Sequence, residues 1–162
     1  MLHLQLFTDA SGNAQRKVGY GAYLVVLEQA EPLDALKNKV KLKRFEQTSS
    51  TKLELQTLLW AVNEISVLSK EQDFCLTVYT DSQNIISLPT RRARLERDNY
   101  RSSKNKQLNN AELYQEFFQL FNNPQFRLVK VIAHKASSQK SEIDRRFALV
   151  DKASRQALRD EY

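Results

Sequence analysis

The sequence predicts a single α/β domain over residues 1–162, and three observations carry that prediction. Near the N-terminus leucine alternates with other residues at Leu2, Leu4 and Leu6, the two-residue period of a strand. From Thr51 to Leu68 the apolar residues Leu55, Leu58, Leu59, Val62, Ile65 and Val67 recur at roughly helical intervals. Beyond that point strand-like and helix-like runs alternate to the C-terminus, the pattern of a layered α/β domain.

The elements follow in order. Leu2–Thr8 reads as a strand and Asn13–Arg16 as a polar turn. Lys17–Glu28, rich in Val, Tyr and Leu, reads as a second strand, in which Gly19 and Gly21 point to close backbone packing or a bulge. A polar stretch with Pro32 leads to a third strand near Lys39–Gln47, antiparallel to the second, so the first three strands form a meander. Ser and Thr residues ahead of the helix Thr51–Leu68 are candidate caps. Phe74–Thr80 is a short strand, and Asp81–Leu88 a short helix that Pro89 stops. A basic, partly helical stretch follows. Asn110 then opens a helix through Phe121, with Leu113, Phe117 and Leu120 on one stripe. Phe126–Ala133 is the last strand. Ser141 starts the final helix, with Asp144 at the third position of a capping box.

Composition bounds the function. No apolar run approaches the ~18 residues of a membrane span, and the N-terminus lacks the basic region and cleavage site of a signal peptide. Cys75 is the only cysteine, so an intrachain disulfide and a cysteine metal site are excluded, and a reducing cytoplasm is the expected home. Against 19 Asp and Glu stand 25 Lys and Arg, a net charge of +6 that suits a polyanionic partner. Between Pro89 and Leu108 the cations Arg91, Arg92, Arg94, Arg97, Arg101, Lys104 and Lys106 outnumber Glu96 and Asp98, which puts +5 in one segment.

The acids carry the chemistry. Asp9 and Asp81 each follow an apolar strand, in Phe7-Thr8-Asp9-Ala10-Ser11 and Tyr79-Thr80-Asp81-Ser82-Gln83. Ligands of open α/β sheets bind outside the carboxyl ends of the strands. Glu54 shares its helix face with Leu58, Ala61 and Ile65, so it sits on the side the helix should bury. A carboxylate there requires a partner or a metal. The last helix offers Asp144 and Asp151, seven residues apart on nearly one face. Asp144 has a capping role available, and Asp151 rises from the apolar run Phe147-Ala148-Leu149-Val150. Gathered carboxylates repel one another unless cations neutralise them. An all-oxygen set suits Mg²⁺ or Mn²⁺, and two such ions would clamp the attacking and leaving oxygens of a phosphodiester.

These segments resemble the ribonuclease H family, type 1. Phe7-Thr8-Asp9-Ala10-Ser11 is similar to its first acidic motif, Gly19-Tyr20-Gly21-Ala22 to its second strand, and Lys52-Leu53-Glu54-Leu55 to the helix that carries its glutamate. Thr80-Asp81-Ser82-Gln83 resembles its most specific short motif, and Val150-Asp151-Lys152-Ala153-Ser154-Arg155 its final helix. The resemblance implies a ribonuclease H-like fold, a five-stranded mixed sheet of three antiparallel strands and two parallel additions flanked by helices. It implies an endonuclease that hydrolyses the RNA strand of RNA–DNA hybrids with two Mg²⁺ ions, Mn²⁺ being the other candidate. Asp9, Glu54, Asp81 and Asp151 would be the ligands, and His134 the loop histidine that shuttles a proton or helps product leave. The stretch from Arg91 to Lys106, with Arg91, Arg92 and Arg94 foremost, matches the basic protrusion of many members. Ser11, Ser50 and Gln83 are candidates to sense the RNA 2′-hydroxyls. A monomer without a membrane partner is expected.

The sequence departs from the family pattern in two places. The loop after His134 reads Lys135-Ala136-Ser137-Ser138-Gln139-Lys140, without the usual glycine and asparagine. Asp151 lies seventeen residues beyond His134, whereas Asp144 lies ten beyond, nearer the family spacing; the choice between them stays open. Two other readings compete, a non-catalytic nucleic-acid-binding module and a DNA-acting nuclease on the same fold.

Overall fold

The computed structural model describes residues 1–27, 32–69, 72–132 and 135–162, apart from the side chain of Ser137. The described residues form strands β1 (Leu2–Asn13), β2 (Val18–Leu27), β3 (Lys41–Glu46), β4 (Phe74–Thr80) and β5 (Phe126–Lys130). The helices are α1 (Leu33–Lys37), α2 (Ser50–Leu68), α3 (Gln83–Arg97), α4 (Ala111–Leu120) and α5 (Glu142–Glu161). A single 3₁₀ turn, Ser137–Gln139, precedes α5.

The five strands make one sheet in the order β3-β2-β1-β4-β5. β1 pairs antiparallel with β2 and β2 with β3, while β4 lies parallel to β1 and β5 parallel to β4. This is the mixed sheet that the resemblance implied. β1 is central, and its neighbouring side chains point into different layers. Leu6 joins a core with Leu58, Val62, Val78 and Phe117, and Phe7 joins a second core with Leu24, Leu36, Phe147 and Val150. α2 and α4 therefore cover one face and α5 the other, and β1 is apolar on both sides, as a doubly covered strand must be.

Two glycines let α2 settle onto the β1–β2 hairpin. A Cβ on Gly21 would lie 2.1 Å from Thr57 Oγ1, and one on Gly19 would lie 2.4 Å from Leu53 Cδ2. The close approach expected from the sequence is thus an approach of helix to strand.

Several boundaries differ from the sequence reading. β1 does not end before Asp9 but runs on to Asn13, held by its antiparallel partner. α1 occupies part of what reads as a polar connection. Pro89 does not stop α3, which continues to Arg97. Proline removes one donor, here the one that would reach the Ile85 carbonyl, and the buried Ile85, Leu88 and Leu95 keep the helix seated. The helix ends at Arg97 with Asp98 as its C-cap, and the chain turns away through Asn99 and Tyr100, both in the left-handed region at φ 53° and 58°. At α4 the Asn110 side chain makes no capping bond. The capping box of α5 is present as read: Ser141 Oγ accepts from the Asp144 N–H, and the Asp144 carboxylate accepts from the Ser141 N–H at 2.9 Å.

Candidate active site

Four acids converge at one end of the sheet from four elements. Phe7 pairs with Tyr79 in the parallel β1–β4 ladder, so Asp9 and Asp81, two residues further along each strand, stand level with one another. α5 crosses beneath β1 and brings Asp151 to Asp9, and the two side chains share a hydrogen bond. Glu54 enters from the first turns of α2 and accepts a hydrogen bond from Ser82 Oγ, the residue after Asp81. Ser82 also caps α3 through the Ile85 N–H at 3.3 Å.

The electrostatics are those of a crowded acidic site. Burial, the Asp151 hydrogen bond and the Asp81 charge push the Asp9 carboxyl up to about 8, against a smaller opposing pull from the Ala10 backbone. Burial also raises Glu54; the Ser82 hydrogen bond opposes that shift and the Asp81 charge adds to it. Asp144 behaves differently. The backbone of Ser141 holds its carboxyl below the usual range, with help from Ser141 Oγ and from Lys135, whose Nζ lies 3.2 Å away. Asp144 caps α5 and pairs with a lysine, whereas Asp151 meets Asp9.

An all-oxygen set of carboxylates, in which burial first and the neighbouring acids second raise Asp9, fits a hard divalent cation. Among the described residues no three His, Cys, Asp or Glu side chains stand closely enough to hold a metal ion as they are. Three of the acids have partners in the chain: Glu54 has Ser82, Asp9 has Asp151, and Asp151 has Arg155 Nε at 3.0 Å as well.

The remaining expected residues are scattered more widely. Ser11 turns toward α5 and meets Ser154 Oγ at 3.2 Å. Ser50 lines a cavity of about 790 Å³ beside the acids. Gln83 Oε1 accepts from Lys130 Nζ at 2.5 Å. Arg91 lies with its guanidinium 5.7 Å from the Tyr114 ring centre, its Nη2 donating to the Asn84 carbonyl at 3.4 Å and its Nε buried without a partner among the described residues. Arg92 is tied to Glu96 at 2.7 Å and to Asn122 at 2.6 Å, and Arg94 is exposed. His134 lies outside the described residues.

The cavity was not legible in the sequence. Gly12 and Asn13 at the end of β1, Lys17, Gln47, Ser50, Lys52 and, from far along the chain, Asn109 and Asn110 line it. Only Ser50 carried a signal, its proximity to Glu54. Lys130 was missed as well, because its meeting with Gln83 depends on the β4–β5 pairing.

The site is a carboxylate cluster at one end of a mixed β-sheet, beside the cationic helix α3. The RNase H family profile matches residues 2–157, and the chain belongs to that family. The enzyme class expected from the acidic motifs, a ribonuclease H, is the one this family names. LC9-RNase H1, described as a type 1 RNase H with the type 2 active-site motif, superposes with a TM-score of 0.67 at 20% identity, covering 96% of this chain and 72% of that one. The RNase H domain of PFV aligns at a TM-score of 0.63 and 14% identity over 96% of this chain and 92% of that one. A foamy viral protease-reverse transcriptase solved with an RNA/DNA hybrid aligns at 0.64 and 10% identity. The alignment covers 96% of this chain but only 19% of that longer protein. At these identities the likeness is one of fold. No curated protein sequence matches the chain.

Proposed function

We propose that the protein is a type 1 ribonuclease H that hydrolyses the RNA strand of RNA–DNA hybrids, with divalent ions held by Asp9, Glu54, Asp81 and Asp151. The observation that carries this reading is the convergence of Asp9, Glu54 and Asp81 on one small cavity, with Asp151 brought against Asp9 by α5. A solved relative of the same fold holds an RNA/DNA hybrid, which supports the substrate class. Bound divalent ions would lower the pKa of an attacking water and stabilise the charge that develops on the phosphate.

The chain's own groups prepare that chemistry. Asp9 would have to give up its proton to serve as a ligand, and Asp151 would hold the same cation in place of its contact with Asp9. Ser82 aims Glu54 at the site, and Arg155 steadies Asp151 through their ion pair. Lys17 and Lys52, at the rim of the neighbouring cavity, supply charge for a phosphate backbone, and Ser50, Asn109 and Asn110 supply hydrogen-bonding groups. Arg91 and Arg94 on α3 extend the positive flank.

The decisive experiment incubates the protein with labelled RNA–DNA hybrid, duplex DNA and duplex RNA, each with Mg²⁺ or Mn²⁺. Cutting confined to the RNA of the hybrid, and lost by orders of magnitude in Asp9→Asn, is the expected result. An intact hybrid under both ions would refute the proposal.

A further inference from the structure

The sequence contains a second cationic stretch, Lys37-Asn38-Lys39-Val40-Lys41-Leu42-Lys43-Arg44, with five cations and no acid. Its latter half is β3, the outer strand of the sheet. Arg44 points to the α5 side, where it is bound by Glu161. Lys43 points to the opposite side: its Nζ lies 5.3 Å above the Phe45 ring and 5.8 Å from Trp60 of α2. Strand alternation puts Lys41 on that same side, and both lysines are exposed. Ala22 pairs with Asp9 on one side and Leu42 on the other. The two lysines thus flank a point two strand spacings, about 10 Å, from Asp9. Following β3 forward, the chain passes Phe45 and enters the cavity wall at Gln47 and Thr48, where Lys52 and Lys17 also lie.

From this continuity we infer that Lys41 and Lys43 form a second contact for nucleic acid, gripping the phosphate backbone of duplex that flanks the cutting site. The inference rests on the proposed hybrid substrate but adds a surface to it. Lysine on an edge strand also discourages strand-to-strand pairing; a run of five cations continuous with a cationic cavity exceeds that need. The two lysines are about 6.8 Å apart along the strand, a spacing suited to successive phosphates of one strand.

The test is binding without divalent ions, which separates it from any failure of cutting. Lys41→Gln/Lys43→Gln is compared with Arg127→Gln/Arg145→Gln, a double variant of equal net charge on β5 and the first turn of α5, after matched melting curves establish folding. Hybrids of about 12 and about 24 base pairs are titrated across salt concentrations. Each lost phosphate contact lowers the log–log salt slope by ~0.7–0.9. The stripe variant should therefore lose roughly 1.4–1.8 in slope on the long hybrid, and about tenfold in affinity at low salt. Its behaviour on the short hybrid should match that of the control. Trp60, the only tryptophan, serves as a second reporter: its emission should respond to the long hybrid and not to the short one. The inference is overturned if the two double variants agree on the long hybrid, or if the stripe variant loses equally on both lengths. Displacement of the long hybrid from the stripe by an acidic polypeptide at equal charge concentration would reassign the surface to a protein partner and overturn it too.

Discussion

Asp9 on β1 and Asp151 on α5 hold one hydrogen bond between two carboxyl groups. Such a bond requires a proton, because two carboxylates have only acceptors. With its carboxyl raised to about 8, Asp9 favours a proton near neutral pH that the unfolded chain would release.

The sign of the pH dependence follows. The folded carboxyl of Asp9 is raised from the ordinary 3.8 to about 8. Its stabilising contribution is complete below about 3.8 and is lost progressively as pH rises through about 8. Asp9→Asn removes the titration, so the variant should gain on the native protein with rising pH. A gain of roughly 1–3 kcal/mol at about pH 8.5 is expected, well below the ~1.4 kcal/mol per unit ceiling because the site relaxes and admits water. Urea unfolding at about pH 5 and pH 8.5 tests this. An equal difference at both would show that Asp9 does not carry the proton.

Divalent ions should substitute for that proton. Mg²⁺ at a hundred times its dissociation constant stabilises a protein that binds it by ~2.7 kcal/mol. Melting curves with Mg²⁺, and after EDTA, should therefore show a reversible rise in the native protein and little in Asp9→Asn. A rise of the same size in both would move the ion away from these acids.

Asp144 and Asp151 separate by phenotype. Asp144→Ala breaks the capping box and should cost about 1 kcal/mol with cutting retained. Asp151→Asn should abolish cutting in a folded protein. The reverse pairing of stability and activity losses would exchange their roles.

The packing of α2 on the hairpin makes Gly21 sensitive. A methyl group there meets Thr57 Oγ1 at 2.1 Å, and overpacking of this kind costs about 1–3 kcal/mol. Gly21→Ala should unfold at lower urea, and adding Thr57→Ala should recover part of the loss. Strict additivity of the two changes would mean that they do not touch.

A latch at the far end of α5 predicts the opposite pH trend. Arg44 first, then Tyr20 and Tyr162, hold the Glu161 carboxyl down to about 2. Its contribution is present above the ordinary glutamate range and is lost as pH falls toward 2. Glu161→Gln should speed hydrogen exchange in the last turn of α5 near neutral pH. That excess should narrow as the pH approaches 3 and in high salt. Persistence of the excess under both conditions would rule out the ion pair as its cause.

Much of this architecture could be read from the chain because local physics and the fold agree. The α2 stripe, the burial of the face carrying Glu54, and the Ser141–Asp144 box are all local patterns with a physical cause. β1 beyond Thr8 was unreadable, since the polar residues Asp9 and Ser11 break the apolar alternation and only pairing with β2 keeps them in a strand. α1 has five residues, too few for a helical period. Pro89 reads as a stop, yet the buried contacts of Ile85, Leu88 and Leu95 outweigh one missing donor. In the site, the convergence of Asn109 and Gly12 on one cavity, the pairing of Arg92 with Asn122 and the bond between Lys130 and Gln83 all depend on distant segments meeting. Sequence spacing holds no record of them.

The placement of Asp9 in the middle strand of five has one more consequence. β1 is hydrogen-bonded on both flanks and packed above and below, so it is the part of the molecule least able to yield. Any adjustment on binding a cation then falls to the side chains that α2, α5 and the turn after β4 offer to a fixed reference. Changes in the seating of those two helices, made far from any acid, would tune the centre without touching it.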